Sequence, residues 1–278
     1  MEVIVAREAG FCFGVRRAME MVEKALRRFP TPIYSLGPLI HNPQVVEALR
    51  ERGLVPVERI EEAQGVVVFR SHGVERPVRE KAKEMGIKVI DATCPFVRRV
   101  QRYAQSLSQR GYLVLIVGDR GHAEVNGILS YLEGEGIVVE GPEEVALPEG
   151  VGKVGVVAQT TQSFETFQRV VFKALKKASE LRVYKTLCDA TQRRQEEALK
   201  VIPQVECMVV VGGYNSANTR RLASLCRKVL PRTYHVETEE DLDPAWFRDV
   251  QRVGVTGGAS TPDWMIKKVA EALRKLVF

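Results

Sequence analysis

Long apolar runs are missing from this chain of 278 residues: none approaches the roughly 18 consecutive apolar residues of a membrane-spanning helix, so no membrane partner is expected. The start, Met1-Glu2-Val3-Ile4, lacks the basic segment of a secretory signal, and the expectation is a cytoplasmic protein. Aromatic residues make up only 7%, and no RNP, KH or zinc-knuckle motif is found, which argues against nucleic acid as a partner. Cysteine is scarce too. Five residues, an odd number with no C-x-x-C pair, do not make a disulfide framework.

What is present is ordinary in bulk. A hydrophobic content of 45% suits a folded protein with a substantial core, and the length allows two to three small domains. Lys and Arg number 41 against 35 Asp and Glu, a net charge of +6 that permits an acidic ligand without requiring one. The basic residues are dispersed over amphipathic helical stretches (Arg16, Arg17, Arg98, Arg99, Lys176, Lys177) and read mainly as solvated helix faces.

Three of the cysteines share a setting. Cys12 in A-R-E-A-G-F-C-F-G-V-R-R, Cys94 in I-K-V-I-D-A-T-C-P-F-V-R-R and Cys188 in V-Y-K-T-L-C-D-A-T-Q-R-R each close an apolar strand and open a charged helix. A paired arginine follows each one. The gap between successive cysteines is the length of a small domain, so they can be neighbours only if similar domains face a common axis. Cysteines of this kind are candidate metal ligands. Cys207 in E-C-M-V-V-V and Cys226 in L-A-S-L-C-R lie inside apolar patterns and read as core residues.

The chain repeats a helix-strand-helix-strand order after each of these cysteines. Strands such as G-V-V-V-F, Y-L-V-L-I-V-G and C-M-V-V-V-G-G alternate with helical stretches, which predicts parallel sheets built from β-α-β units. The third unit lacks its last strand while the chain begins with a strand that no helix precedes, so the N-terminal strand should complete the third domain. The expected domains are 14–94, 95–187, and 188–278 with 1–13.

In parallel sheets, ligand-binding groups gather beyond the carboxyl ends of the strands. Those ends carry His41, His72, His122 with Glu124, Thr160 and Thr161, Asn215 with Ser216 and Asn218, and Ser260. Asn42-Pro43 and Thr261-Pro262 are helix-start signals that also suit phosphate binding. The loops Gly212-Gly213 and Gly257-Gly258 permit either domain closure or a tight turn. A structural zinc site of three cysteines and one histidine remains a rival reading, although zinc ligands normally come in close pairs. A nucleic-acid-binding module is a second rival, suggested only by charge and the Arg-Arg pairs.

Taken in order, A-G-F-C-F-G-V, H-N-P, S-H-G-V, D-A-T-C-P, G-H-A-E-V-N-G, A-Q-T-T, N-S-A-N-T-R-R-L and G-G-A-S-T-P-D-W resemble the 4-hydroxy-3-methylbut-2-enyl diphosphate reductases of the non-mevalonate isoprenoid pathway. The resemblance covers the whole chain. It implies three similar α/β domains with small parallel sheets, a pseudo-threefold trefoil around a central [4Fe-4S] cluster held by Cys12, Cys94 and Cys188. Soft, anionic thiolates suit iron-sulfur iron, and three ligands leave one iron open to the substrate hydroxyl.

By the same resemblance His41, His72, His122, Ser216, Ala217, Asn218 and Ser260 hold the substrate diphosphate. Glu124 delivers protons, favoured by enclosure beside an anion, and Thr160 organises Glu124 and the substrate hydroxyl. Reduction and protonation at either end of the allylic unit give isopentenyl or dimethylallyl diphosphate, with a ferredoxin or flavodoxin as electron donor. Many relatives carry a second serine where this chain has Ala217, which leaves only a backbone N–H there.

Overall fold

The computed structural model describes residues 1–276; Val277 and Phe278, the last two residues of the expected third domain, lie outside the described residues. In chain order the elements are β1 (Glu2–Val5), α1 (Phe13–Arg28), β2 (Ile33–Leu36), α2 (Pro43–Glu51), β3 (Leu54–Val57), β4 (Val66–Phe69), α3 (Arg76–Glu84), β5 (Lys88–Asp91) and α4 (Pro95–Gln109). They continue with β6 (Leu113–Val117), α5 (Ala123–Leu129), β7 (Gly136–Val139), β8 (Lys153–Ala158), α6 (Phe164–Leu175), β9 (Glu180–Val183) and α7 (Asp189–Val201). The last are β10 (Cys207–Val211), α8 (Ala217–Val229), β11 (Thr233–Val236), β12 (Arg252–Gly257) and α9 (Asp263–Lys275).

The strands form three four-stranded sheets in the orders β3-β2-β4-β5, β7-β6-β8-β9 and β11-β10-β12-β1, and the pairings within them are parallel. Read as second-first-third-fourth, the order is the same in all three, giving three similar α/β domains. β1 pairs with β12 from Glu2 beside Arg252 to Val5 beside Val255, so the N-terminal strand supplies the missing fourth strand of the third sheet. A parallel partner cannot follow through a tight turn, and here it comes from the opposite end of the chain.

Side-chain alternation explains why the inner strands are apolar throughout. In β10, Cys207, Val209 and Val211 pack into one core with Ile266, Val269 and Leu273 of α9. Met208 and Val210 face the other way, onto Ala198 and Val201 of α7 and Leu222 and Cys226 of α8. β6 repeats the pattern: Leu115 and Val117 meet Phe167 and Val170 of α6, while Val114 and Ile116 meet Val100, Ala104 and Leu107 of α4. A strand covered on both faces cannot carry polar alternation. Each such fully buried Val or Leu contributes roughly 2 kcal/mol. The edge strands β1 and β9 are only half buried and retain charged residues.

The chain divides into two compact units. One comprises Met1–Arg16, Ile40–Glu47 and the described residues from Asp189 onward, and it holds the sheet of β1, β10, β11 and β12; the other comprises Arg17–Leu39 and Ala48–Cys188 and holds the remaining two sheets. Among the described residues no helix is long and apolar enough to cross a membrane.

Two local expectations change on inspection. Thr261 does not cap α9: its hydroxyl donates to the Val211 carbonyl at 2.8 Å, and the helix begins at Asp263 after Pro262, which offers no side-chain cap. Arg17 and Arg98 are not simple solvated residues either, since Arg17 donates to the Thr93 carbonyl at 3.3 Å and Arg98 lies 2.7 Å from Asp91. Asn42 does cap α2, its Oδ1 accepting from Val45 N–H at 3.0 Å.

Candidate active site

Each of the three repeat cysteines is held by the same backbone contact. The Cys12 N–H donates to the Ala259 carbonyl at 3.1 Å, Cys94 to Ser71 at 2.9 Å and Cys188 to Thr160 at 2.8 Å. In every case the acceptor lies just beyond the third strand of the sheet, β12, β4 or β8, in a loop that carries a predicted site residue: Ser260, His72 and Thr160 itself. Each cysteine stands immediately before or at the start of a helix, α1, α4 or α7. At Cys12 the sulfur accepts the Val15 N–H of the first turn of α1 at 3.5 Å.

All three cysteines are only partly buried, whereas Cys207 and Cys226 are fully buried and burial pushes both thiols up to about 11. The chain thus separates two core thiols from three partly buried ones at helix starts. As a donor set the three fit a soft iron centre. Within each unit taken by itself, no group of three or more His, Cys, Asp or Glu side chains that could hold a metal is found among the described residues; one unit supplies Cys12 and the other Cys94 and Cys188.

The unit holding β2 to β9 brings together His72, Cys94, His122, Glu124, Thr160 and Cys188. Glu124, in the first turn of α5, is only 1% exposed. Its carboxylate receives the Thr160 N–H on Oε1 at 2.7 Å and the Thr160 hydroxyl on Oε2 at 2.9 Å. The Thr160 carbonyl then accepts the Cys188 N–H, so acid, threonine and cysteine form one connected series. His122 caps α5: its Nδ1 accepts from the Glu124 N–H at 3.2 Å, which places the ring proton on Nε2, the nitrogen suited to donate to an anion. The His72 ring stands edge-on to that of His122 with centroids 5.8 Å apart.

The unit holding β10 to β12 brings together Cys12, His41, Ser216, Ala217, Asn218 and Ser260. Asn218 Oδ1 accepts the Ala259 N–H at 2.8 Å, and Ala259 in turn accepts the Cys12 N–H. Its amide also donates to Thr191 Oγ1 at 3.3 Å, leaving the second N–H as a donor. Ser216 caps α8 by accepting from Thr219 N–H, so its O–H proton stays available. Ser260 donates to the His41 carbonyl at 3.0 Å and would have to turn to meet a ligand. Ala217 is buried in the first turn of α8. The glycine loops here are close-packing devices: a Cβ at Gly258 would sit 1.9 Å from Thr219 Oγ1, and one at Gly213 would sit 2.7 Å from the His41 carbonyl oxygen.

Three supporting residues escaped sequence reasoning. Asp91 binds Arg79, Arg98 and the Thr93 N–H just ahead of Cys94. Burial alone would raise its pKa, but these three partners outweigh it and hold the carboxyl at about 2. Arg194, 4% exposed, donates to the Gly10 carbonyl at 2.6 Å and fixes the segment before Cys12. Thr186 both accepts from and donates to the backbone of Ala158, two residues before Cys188. The signal for Arg194 was present in the Arg-Arg pair behind each cysteine; Asp91 and Thr186 look like ordinary strand-end residues.

Fold and site together define an α/β protein of three four-stranded parallel sheets, with cysteine-led helices and a buried acid beyond the strand ends. The chain belongs to the LytB family, whose model, described as LytB protein, matches residues 3–274. It is 50% identical over 277 residues to the 4-hydroxy-3-methylbut-2-enyl diphosphate reductase of Geotalea uraniireducens, covering 99% of this chain and 98% of the relative. Identity to the enzyme of the same name from Geobacter sulfurreducens is 50% over 276 residues, covering 99% and 98%. A solved structure of (E)-4-hydroxy-3-methyl-but-2-enyl diphosphate reductase, called the terminal enzyme of the non-mevalonate pathway, is 44% identical with a TM-score of 0.74, covering 99% of this chain and 100% of its own. That of the Plasmodium falciparum reductase is 27% identical with a TM-score of 0.92, covering 99% and 88%.

Proposed function

We propose that this chain reduces (E)-4-hydroxy-3-methylbut-2-enyl diphosphate to isopentenyl diphosphate and dimethylallyl diphosphate. The balance is one allylic C–O bond broken, two electrons and two protons taken up, and one water released. The observation that carries the reading is the series from Glu124 through Thr160 to Cys188, which ties a buried acid to a partly buried cysteine.

Cys12, Cys94 and Cys188 are the residues that would hold a [4Fe-4S] cluster, which when bound supplies electrons and an open iron position for the substrate oxygen. The remaining work falls to side chains. Glu124 is the proton source. The Thr160 N–H fixes one carboxyl oxygen, while the Thr160 hydroxyl can accept from a protonated Oε2 and donate onward to the leaving hydroxyl. That hydroxyl is the one group in the series able to follow the proton without moving the backbone. His41, His72, His122, Ser216, Asn218 and Ser260, with the Ala217 N–H, take the diphosphate, the last group helped by the positive end of α8.

The repeat supports domain boundaries at 14–94, 95–187, and 188–278 with 1–13, and the proposed location is the cytoplasm, where reduced thiols persist. A ferredoxin or flavodoxin is the electron donor in this reading.

The test is iron and acid-labile sulfide content, with the visible spectrum, on protein purified without oxygen, followed by reductase assay with a chemical donor. Roughly three to four irons per chain, lost in Cys12→Ser, Cys94→Ser and Cys188→Ser alike, is the expected outcome. Colourless protein holding one zinc, or iron content unmoved by Cys12→Ser, would overturn the assignment.

A further inference from the structure

Arg16 of the pair behind Cys12 and the Arg193-Arg194 pair behind Cys188 have no part in the chemistry above, yet they line the opening at Cys12. A surface cavity of about 370 Å³ there has Cys12 in its wall and is rimmed by Arg7, Arg16 and Arg193, with Glu8 as the acidic residue among its lining groups. Arg16 is held over the Cys12 segment by its bond to the Phe11 carbonyl at 3.3 Å. Arg193 reaches Glu8 only at 3.9 Å and its side chain is 60% exposed, so its charge is largely presented to solvent. Phe13, the first residue of α1, is 60% exposed next to the cysteine. The second unit repeats the composition: a cavity of about 400 Å³ beside Pro95, the residue after Cys94, is lined by Arg17, Arg79, Arg98 and Arg102.

An exposed aromatic ring inside a rim of solvent-facing guanidinium groups is the wrong build for a small buried anion. It suits a protein surface of opposite charge, with the ring as a desolvated centre and the arginines steering approach. Electron-transfer encounters are of this type, being small in area and short-lived. Resting on the reductase reading, in which Cys12 is a cluster ligand, we propose that the Arg7, Arg16, Arg193 and Phe13 face is where an acidic one-electron carrier protein docks. Two carrier molecules are oxidised by one electron each per turnover, which together with two protons balances the loss of the hydroxyl as water. Docking at this face brings the carrier to Cys12, which lines the cavity.

The experiment compares the unmodified protein with Arg16→Glu/Arg193→Glu and, as an independent variant, Arg7→Glu. Two readouts are taken: binding of an oxidised acidic ferredoxin by calorimetry at low and high salt, and turnover driven by the reduced ferredoxin or by dithionite-reduced methyl viologen. The double variant should weaken ferredoxin binding and lower ferredoxin-driven kcat/KM by about tenfold or more, with viologen-driven turnover retained and the salt dependence flattened. Unchanged ferredoxin binding, equal loss with both donors, or a loss produced instead by Arg102→Glu in the second unit would overturn the docking face. Absence of viologen-driven turnover in the unmodified protein would count against the reductase reading, and the binding readout would still decide the docking face.

Discussion

The Glu124 group and the Asn218 group are built on the same scaffold and do different work. Both sit beyond the carboxyl ends of parallel strands, and both pin a cysteine N–H through the loop after the third strand. Around Cys188 the pin leads to a buried carboxyl bonded twice by Thr160; around Cys12 it leads to an amide and hydroxyls, with Asn218 bonded to Ala259. In the proposed reading the first group supplies the proton, with His72 and His122 beside it as donors to the diphosphate, and the second supplies hydrogen-bond donors to the same anion. A repeated α/β unit therefore fixes where the cysteines and loops go, while a few loop side chains make the groups chemically different: a buried carboxyl in one, an amide in the other.

The comparison breaks first at the cysteines. Cys188→Ser or Cys12→Ser should abolish turnover, a loss of more than about a thousandfold, together with visible colour, whereas Cys207→Ala should keep both and lose only stability, on the order of 1 kcal/mol for its buried volume. Metal content and spectra on the two sets separate ligating from core thiols.

Next in size is the acid. Glu124→Gln should lower kcat by roughly a hundredfold to a thousandfold with little change in KM, because a general acid acts in the transition state. Thr160→Val keeps the backbone bond but removes the hydroxyl, and a loss of about tenfold is expected. A Thr160→Val effect on KM alone would place that hydroxyl in binding and not in proton delivery.

The Asn218 group should respond in the opposite parameter. Ser216→Ala is expected to raise KM several-fold, corresponding to about 1 kcal/mol, with kcat nearly kept. Asn218→Ala should cost more and also disturb Cys12, because its carbonyl oxygen holds Ala259; a shifted cluster spectrum would report that second effect. Ala217→Ser adds one donor at a buried helix start and should change KM by less than threefold, roughly 0.6 kcal/mol.

The last contrast concerns stability. Asp91 is held at about 2, below its ordinary 3.8, by the Thr93 N–H, Arg79 and Arg98 against the opposing effect of burial. A depressed carboxyl stabilises the fold above its ordinary pKa and loses that contribution as the pH falls from about 4 towards 2. The contribution is about 2 kcal/mol. Asp91→Asn should lower stability at neutral pH by a similar amount and flatten the acid limb of a denaturation curve. An unchanged acid limb would remove Asp91 from the account of how the Cys94 segment is held.

Much of this protein was legible in one dimension. Strand and helix types follow from the local chain, since β10 is a short continuous apolar run rich in valine that ends in glycines, and α9 carries a 3.6 repeat. The three-fold recurrence of cysteines and the orphan first strand were likewise enough to complete the third sheet, and contiguous loops carry each candidate ligand. Three things came only with tertiary structure. Thr261 turned from a helix cap into a tie on Val211, Arg194 emerged as the brace of Gly10, and Asp91 as the anchor ahead of Cys94. Each depends on a hydrogen-bond partner brought near by folding, and each draws its strength from burial that removes competing water. Sequence determined which groups exist and on which element they sit; packing decided which of them lose water together, and so which bonds count.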